Sequence, residues 1–232
     1  MTFKSMIPVY DYENDEFLGA IEGVTGSCYL LQSKTANVLI DCGLFQGAEV
    51  SGQGASETQL EIDFPVAHIQ ALLVTHVHID HVGRIPYLLA AGFTGPIYCS
   101  EPSAVLLPLV LEDAVKIGFT RNRSLIKRFL QTLAKQLVPL PYAIWHELTP
   151  SLKVKLQPAG HILGSAQVRV QRGNEVWVVT GDFKREADPT CAPFEPVPCD
   201  VLVTEATFAY PIYQWPNPET VIAEIYAWWQ RC

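Results

Sequence analysis

The chain has 232 residues, of which 49% are hydrophobic and 17% charged, a balance that excludes an intrinsically disordered protein and suffices for one large globular domain. Its formal net charge of −8 excludes a broadly basic, non-specific nucleic-acid coat. It does not exclude an enzyme acting on nucleic acid, because bound cations can supply positive charge locally.

The first part of the chain predicts short strands. Phe17–Ile21, Ser27–Gln32 and Asn37–Asp41 are apolar or β-branched segments divided by Gly and polar residues. Residues 46–60 are rich in Gly and Ser and predict a surface loop. Ile69–Thr75 predicts a buried strand. Asp80–Ala91 predicts a helix, with Asp80 as N-cap, Ile85, Leu88 and Leu89 on one face, and Gly92 just past its end. Pro86 falls within its first turns and blurs where it begins.

Gly95–Cys99 predicts another strand, and Ser103–Gly118 and Ser124–Val138 two helices. Arg121, Arg123, Lys127, Arg128 and Lys135 form a basic cluster around the second helix, read here as a solvated face that could also contact a phosphate backbone. Lys153–Leu156, Gln167–Gln171 and Val176–Thr180 return to a strand pattern. Residues 186–200 predict a loop, Val201–Glu205 a buried strand and Thr220–Gln230 a closing helix. Strands, helices, strands and a helix in that order predict a layered α/β (α+β) fold, sheets covered by helices rather than a simple alternating βαβ unit.

No run of 18 apolar residues occurs, so no membrane span or membrane partner is expected. The start lacks a basic region followed by an apolar stretch, so no secretory leader is expected either. Cys28, Cys42, Cys99, Cys191, Cys199 and Cys232 are scattered and form no Cys-x-x-Cys pair. They predict reduced thiols in a cytoplasmic protein.

The chemistry lies in Thr75-His76-Val77-His78-Ile79-Asp80-His81. With 6 His in the chain, an H-x-H-x-D-H string is expected roughly 10⁻⁴ times in a random sequence of this composition. Chance therefore does not account for it. In an extended segment alternate side chains face one way, so His76, His78 and Asp80 point into one pocket, and the turn into the helix brings His81 towards it. Imidazole and carboxylate suit zinc, and the absence of Cys argues against a closed structural site. Four such groups exceed what one zinc ion with an open position needs, which predicts two ions and further ligands from elsewhere. His161, in a Gly-flanked turn before a strand, and Asp182, at a strand end after Gly181, are the candidates for those ligands. The two oxygens of Asp182 would let it bridge. His68 and His146 lack such a context and are read as structural or exposed.

Asp41, the cluster His76–His81, His161 and Asp182, in that order, resemble the metallo-β-lactamase superfamily. Leu39-Ile-Asp41-Cys-Gly-Leu-Phe-Gln-Gly47, Gly160-His161-Ile-Leu-Gly-Ser-Ala166 and Thr204-Glu205-Ala-Thr-Phe208 are similar to its β-CASP nucleic-acid-processing branch. The stretch from Asp188 to Pro196 is similar to ligase-associated DNA exonucleases, and the earlier half to RNA-processing members.

The resemblance implies an αββα sandwich. It also implies a metal-dependent hydrolase, a nuclease that cleaves RNA or DNA with a metal-activated hydroxide. It implies a first zinc on His76, His78 and His161, and a second on Asp80 and His81, with Asp182 bridging. Asp41 would orient a metal ligand from behind it, and Glu205 would match the first additional acidic motif of the branch.

The likeness covers nearly the whole chain but only the first part of the family's catalytic unit. The β-CASP segment and a last histidine ligand lie beyond it, and no histidine follows His161. Residues 1–232 are therefore expected to form a sandwich incomplete at its C-terminal end. Two other readings stay open: a small-molecule hydrolase of the same fold, of thioesterase or lactamase type, and a shortened non-catalytic subunit. A homo-oligomer or a complementing subunit is a further expectation.

Overall fold

A computed structural model describes residues 16–20, 23–32, 36–46 and 60–232. The predicted loop at 46–60 lies almost wholly outside them, as does the end of the predicted strand Phe17–Ile21. Two sheets face each other. The first runs β1 (Glu16–Gly19), β2 (Cys28–Gln32), β3 (Asn37–Ile40), β4 (Ile69–Leu73), β5 (Ile97–Ser100) and β6 (Leu137–Leu140), in that spatial order. Its first two pairings are antiparallel, and β3 to β6 are parallel. The second sheet contains β7 (His146–Thr149), β8 (Leu152–Pro158), β9 (Ala166–Arg172), β10 (Glu175–Val179) and β11 (Val201–Val203), ordered 11-10-9-8-7. β7 to β10 are antiparallel to their neighbours, while β11 joins β10 in parallel.

The period-two pattern of the strands divides the interior into two cores. Val38, Ile40 and Leu73 turn inward against Val154, Leu156, Val168 and Val170 of the opposite sheet. Leu39 and Leu72, one position along, turn outward against the helices. There α3 (Glu101–Gly118) buries Leu107, Leu111 and Val115, spaced four residues apart on one stripe. Each such side chain contributes about 1.5–3 kcal/mol on burial. α4 (Arg123–Gln136) adds Ile126 and Leu133. The layered α/β sandwich expected from the sequence is thus the observed architecture. α5 (Pro218–Trp229) buries none of its residues, and Ile222, Ile225, Tyr226, Trp228 and Trp229 are exposed.

Three local expectations are corrected. The single helix Asp80–Ala91 is two short ones, α1 (Ile79–Val82) and α2 (Ile85–Ala90), and the N-cap of α1 is His78 rather than Asp80. The break arises because the Arg84 amide donates to Cys42 O at 2.9 Å and Pro86 has no amide to donate. The helix predicted to reach Val138 stops at Gln136, because Leu137–Leu140 pairs in parallel with β5 and becomes β6. β7 was not anticipated. Its ladder to β8 decides it, a long-range partner that local periodicity does not report.

Candidate metal centre

The parallel and alternating strand directions bring five strand ends to one edge of the sandwich. Asp41 follows β3, the His76–His81 segment follows β4, His161 lies after β8, Asp182 after β10 and Glu205 after β11. The two sheets are tied at that edge, where Ala166 N donates to Thr75 O at 2.8 Å. Gly181, at φ +56°, backs directly onto Thr75. A Cβ there would lie 2.6 Å from Thr75 Cβ, so only glycine allows Asp182 to approach.

His76, His78, His161 and Asp182 each aim one donor atom at a common point, and these atoms all lie within 4.8 Å of one another. His78 Nδ1 stands 3.1 Å from both His76 Nε2 and His161 Nε2. Asp182 faces two ways. Its Oδ2 lies 3.8 Å from His76 Nε2 and 3.6 Å from His161 Nε2, and its Oδ1 lies 3.3 Å from His81 Nε2. Asp80 Oδ2 stands on the same far side, 3.9 Å from His81 Nε2. The structure therefore brings the six residues singled out by sequence into one cluster, with His76 and His81 buried and His78 exposed.

Behind the cluster lies Asp41, 1% exposed and at φ +58°. Its Oδ1 accepts from Thr75 N at 2.8 Å, and its Oδ2 accepts from Thr75 Oγ1 and from His81 Nδ1, both at 2.7 Å. The bond to Nδ1 leaves His81 Nε2 turned towards Asp182. His76 is held the same way, with Nδ1 donating to Thr75 Oγ1 at 3.1 Å. Glu205, half-buried, accepts from Phe183 N at 3.3 Å, the amide next to Asp182, and its charge acts on His161.

Sequence reasoning passed over the supports. Thr75 is one. Ser165, whose Oγ accepts from the His161 and Ile162 amides at 3.1 and 3.2 Å, is another. Ser100 and Ser103 both donate to Gly164 O, at 2.6 and 3.0 Å, and so pin the His161 loop to the start of α3. The available signal was position: Thr75 immediately precedes the histidine cluster, and Ser165 follows His161 within the Gly-bearing turn. His68 is exposed at the end of a 3-10 turn, and His146 lies against Tyr98 with ring centroids 5.3 Å apart, both away from the cluster.

The protonation of His76, His161 and Asp182 favours metal binding. Burial, reinforced by the neighbouring imidazoles, holds His76 well below the usual histidine value. Burial also lowers His161, against the pull of Asp182 and Glu205. Burial pulls His81 down too, but Asp41 and Asp182 together outweigh it and raise the group to about 10. Asp182 is opposed by its burial yet lowered by the His81 hydrogen bond and the surrounding histidines. Imidazoles of His76 and His161 held towards the neutral form, with the ionised carboxylate of Asp182 beside them, fit a divalent cation.

Residues 21–221 match the family described as the metallo-beta-lactamase superfamily. The chain belongs to the metallo-β-lactamase superfamily. Within it, the likeness is to the β-CASP nucleases. Ribonuclease TTHA0252 of Thermus thermophilus is 36% identical over 191 residues, 82% of this chain and 42% of that protein. The transcription termination factor FttA of Methanocaldococcus jannaschii is 32% identical, covering 83% of this chain and 31% of the factor. Integrator complex subunit 11 of Danio rerio is 29% identical, over 83% and 33%. The chain thus spans less than half the length of each of these relatives, and the match covers their N-terminal part. Among the described residues, no helix is long and apolar enough to cross a membrane.

Proposed function

We propose that this chain is the metal-holding part of a zinc-dependent nuclease that hydrolyses phosphodiester bonds of RNA. The observation that carries the proposal is Asp182, whose two carboxylate oxygens face separate donor groups: His76 and His161 on one side, His81 on the other. That arrangement suits two zinc ions, the first on His76, His78 and His161, the second on Asp80 and His81, with Asp182 shared. Bound there, divalent ions would supply Lewis-acid polarisation of water and of a phosphoryl oxygen.

The protein's own contribution is orientation. Asp41 fixes the ring of His81, Thr75 fixes that of His76, and Ser165 holds the loop carrying His161. Glu205 holds the Phe183 amide and so the backbone at Asp182. RNA is preferred over DNA because one of the relatives is named a ribonuclease.

The test uses the purified chain with RNA and DNA oligonucleotides and with a thioester. Zinc-restored cleavage of RNA, abolished by chelation, is expected. Turnover of the thioester with the oligonucleotides intact would instead favour the small-molecule hydrolase reading. No turnover of either, with zinc bound, would favour the non-catalytic subunit.

Association with a further subunit, of the same or a complementing chain, forms part of this reading. It is supported by the exposed Phe208, Tyr210, Ile212, Trp215, Trp228 and Trp229. Light scattering is expected to give a mass above the 25.8 kDa of one chain, and a strict monomer at high concentration would reject self-association. The six free cysteines, three of them buried, support a reducing, cytoplasmic setting. Secretion of the oxidised protein into an extracellular fraction would contradict it.

A further inference from the structure

The basic residues of this acidic chain are not evenly spread. Residues 114–146 hold Lys116, Arg121, Arg123, Lys127, Arg128 and Lys135 and no Asp or Glu. With those six set aside, ten basic residues remain against 24 acidic ones. All six are exposed, on the last turn of α3, the connection and α4. Lys116 pairs with Glu112 at 2.8 Å, whereas among the described residues the other five have no acidic partner.

Between the two helices runs a groove of about 560 Å³, floored by Ile126 and Leu130 and rimmed by Glu112, Lys116, Arg123, Lys127 and Gln131, the Glu112 carboxylate being taken up by Lys116. Arg123 and Lys127 stand one turn apart at the groove, and Lys135 lies two turns further along α4. Positions one turn apart on a helix stand about 5–6 Å from each other. Phe119, in the connection just past α3, is 45% exposed and packs against Tyr87 at a ring-centroid separation of 4.1 Å. Unpaired cations together with a supported aromatic face are the combination that holds single-stranded nucleic acid, the cations tracking phosphates and the ring stacking a base.

The place of this groove relative to the metal centre follows from α3. Its N-cap Ser100 donates to Gly164 O, three residues from His161, so the helix starts at the His161 loop. Its 18 residues then carry the chain roughly 26 Å away. A stacked strand, at roughly 3.4 Å per nucleotide, needs about eight nucleotides to span that distance.

We infer that the α3–α4 groove is a second substrate site, which binds the phosphate backbone of single-stranded RNA several nucleotides from the bond being cut. The inference rests on the nuclease reading for its substrate, and the apolar floor and exposed ring favour a nucleic acid over an acidic protein.

The test compares the full chain with an R123Q/K127Q/K135Q variant, and separately with Phe119→Ala. Both are measured by fluorescence anisotropy on a labelled 20-nucleotide RNA and by zinc-dependent cleavage of 4- and 20-nucleotide RNAs. The triple variant is expected to bind the 20-mer about tenfold or more weakly at low salt. Its salt-dependence slope should fall by about 2, since each lost phosphate contact removes about 0.7. Its KM for the 20-mer should rise, while kcat and all cleavage of the 4-mer stay unchanged.

Binding of the 20-mer within twofold of the parent, with an unchanged salt slope, would overturn the inference. So would equal losses on both substrates, or competition by polyglutamate as effective as by RNA. Weakened 20-mer binding in a protein that cleaves no RNA at all would uphold the groove and overturn the nuclease reading instead.

Discussion

Replacing Asp182 with alanine is expected to lower zinc-dependent RNA cleavage by about 10²–10³-fold, the scale on which loss of one directly acting group is felt in catalysis. Asp182 alone among the cluster residues faces both donor groups, with Oδ2 towards His76 and His161 and Oδ1 towards His81. Its removal should leave the His76–His78–His161 group intact as a weaker site and deprive the Asp80–His81 side of its shared oxygen. Elemental analysis of the Asp182→Ala protein should therefore show less zinc per chain than the parent. The fold should survive, because the side chain is 30% exposed and lies in a loop beyond the end of β10. An unchanged rate and unchanged zinc content in a folded variant would remove Asp182 from the mechanism.

The second large effect concerns stability. Asp41→Ala strips the acceptor from three buried donors at once: Thr75 N, Thr75 Oγ1 and His81 Nδ1. It also leaves alanine at φ +58°, where its Cβ is strained. Breaking a buried charged pair in this way costs about 3–5 kcal/mol, so the melting temperature should fall by roughly 10 °C in a protein of this size. Asp41→Asn keeps the shape and tolerates the left-handed backbone but removes the charge, and isolates the electrostatic part.

The sign of the pH effect follows from the direction of the His81 shift. In the metal-free protein, burial opposes the charged ring but Asp41 and Asp182 raise its value to about 10. The unfolded value is about 6.5. A raised value means that the folded protein keeps the proton longer. The stabilisation is therefore full below about 6.5 and is lost as pH rises through about 10. Urea melts in the presence of chelator at pH 7, 8.5 and 10 should show the parent losing stability along this series. The Asp41→Asn protein should lose less, because its His81 has less to lose. Equal slopes would show that Asp41 does not set the charge of His81. The same shift implies that zinc binding near neutral pH displaces a proton from His81, since a ligating imidazole must be neutral.

Much of the candidate centre was legible in the chain because the residues that could ligate are concentrated. The alternation of His76, His78 and Asp80 is a local property of an extended segment, and a string so improbable by chance points to metal without any fold. The layered architecture was legible for a similar reason: the strand segments carry apolar residues at the spacing that faces them into the two cores. Elements that depend on distant partners were not legible. Leu137–Leu140 extends a helical pattern in sequence, and only pairing with β5 turns it into a strand. The helix expected from Asp80 breaks because Cys42 O, some forty residues away, takes the Arg84 amide.

The sequence by itself singled out the candidate metal-binding side chains, the strands that deliver them and the concentration of positive charge on 114–146. All of these are properties of residue type and short-range spacing. Only the tertiary structure decided that Asp182 turns one oxygen to each donor group, that Thr75 and Asp41 set the histidine rings, and that Lys116, Arg123 and Lys127 border a groove between α3 and α4. Those relations depend on how two sheets dock at Thr75 and how two helices lie together, and such docking is set by long-range packing that no local pattern encodes.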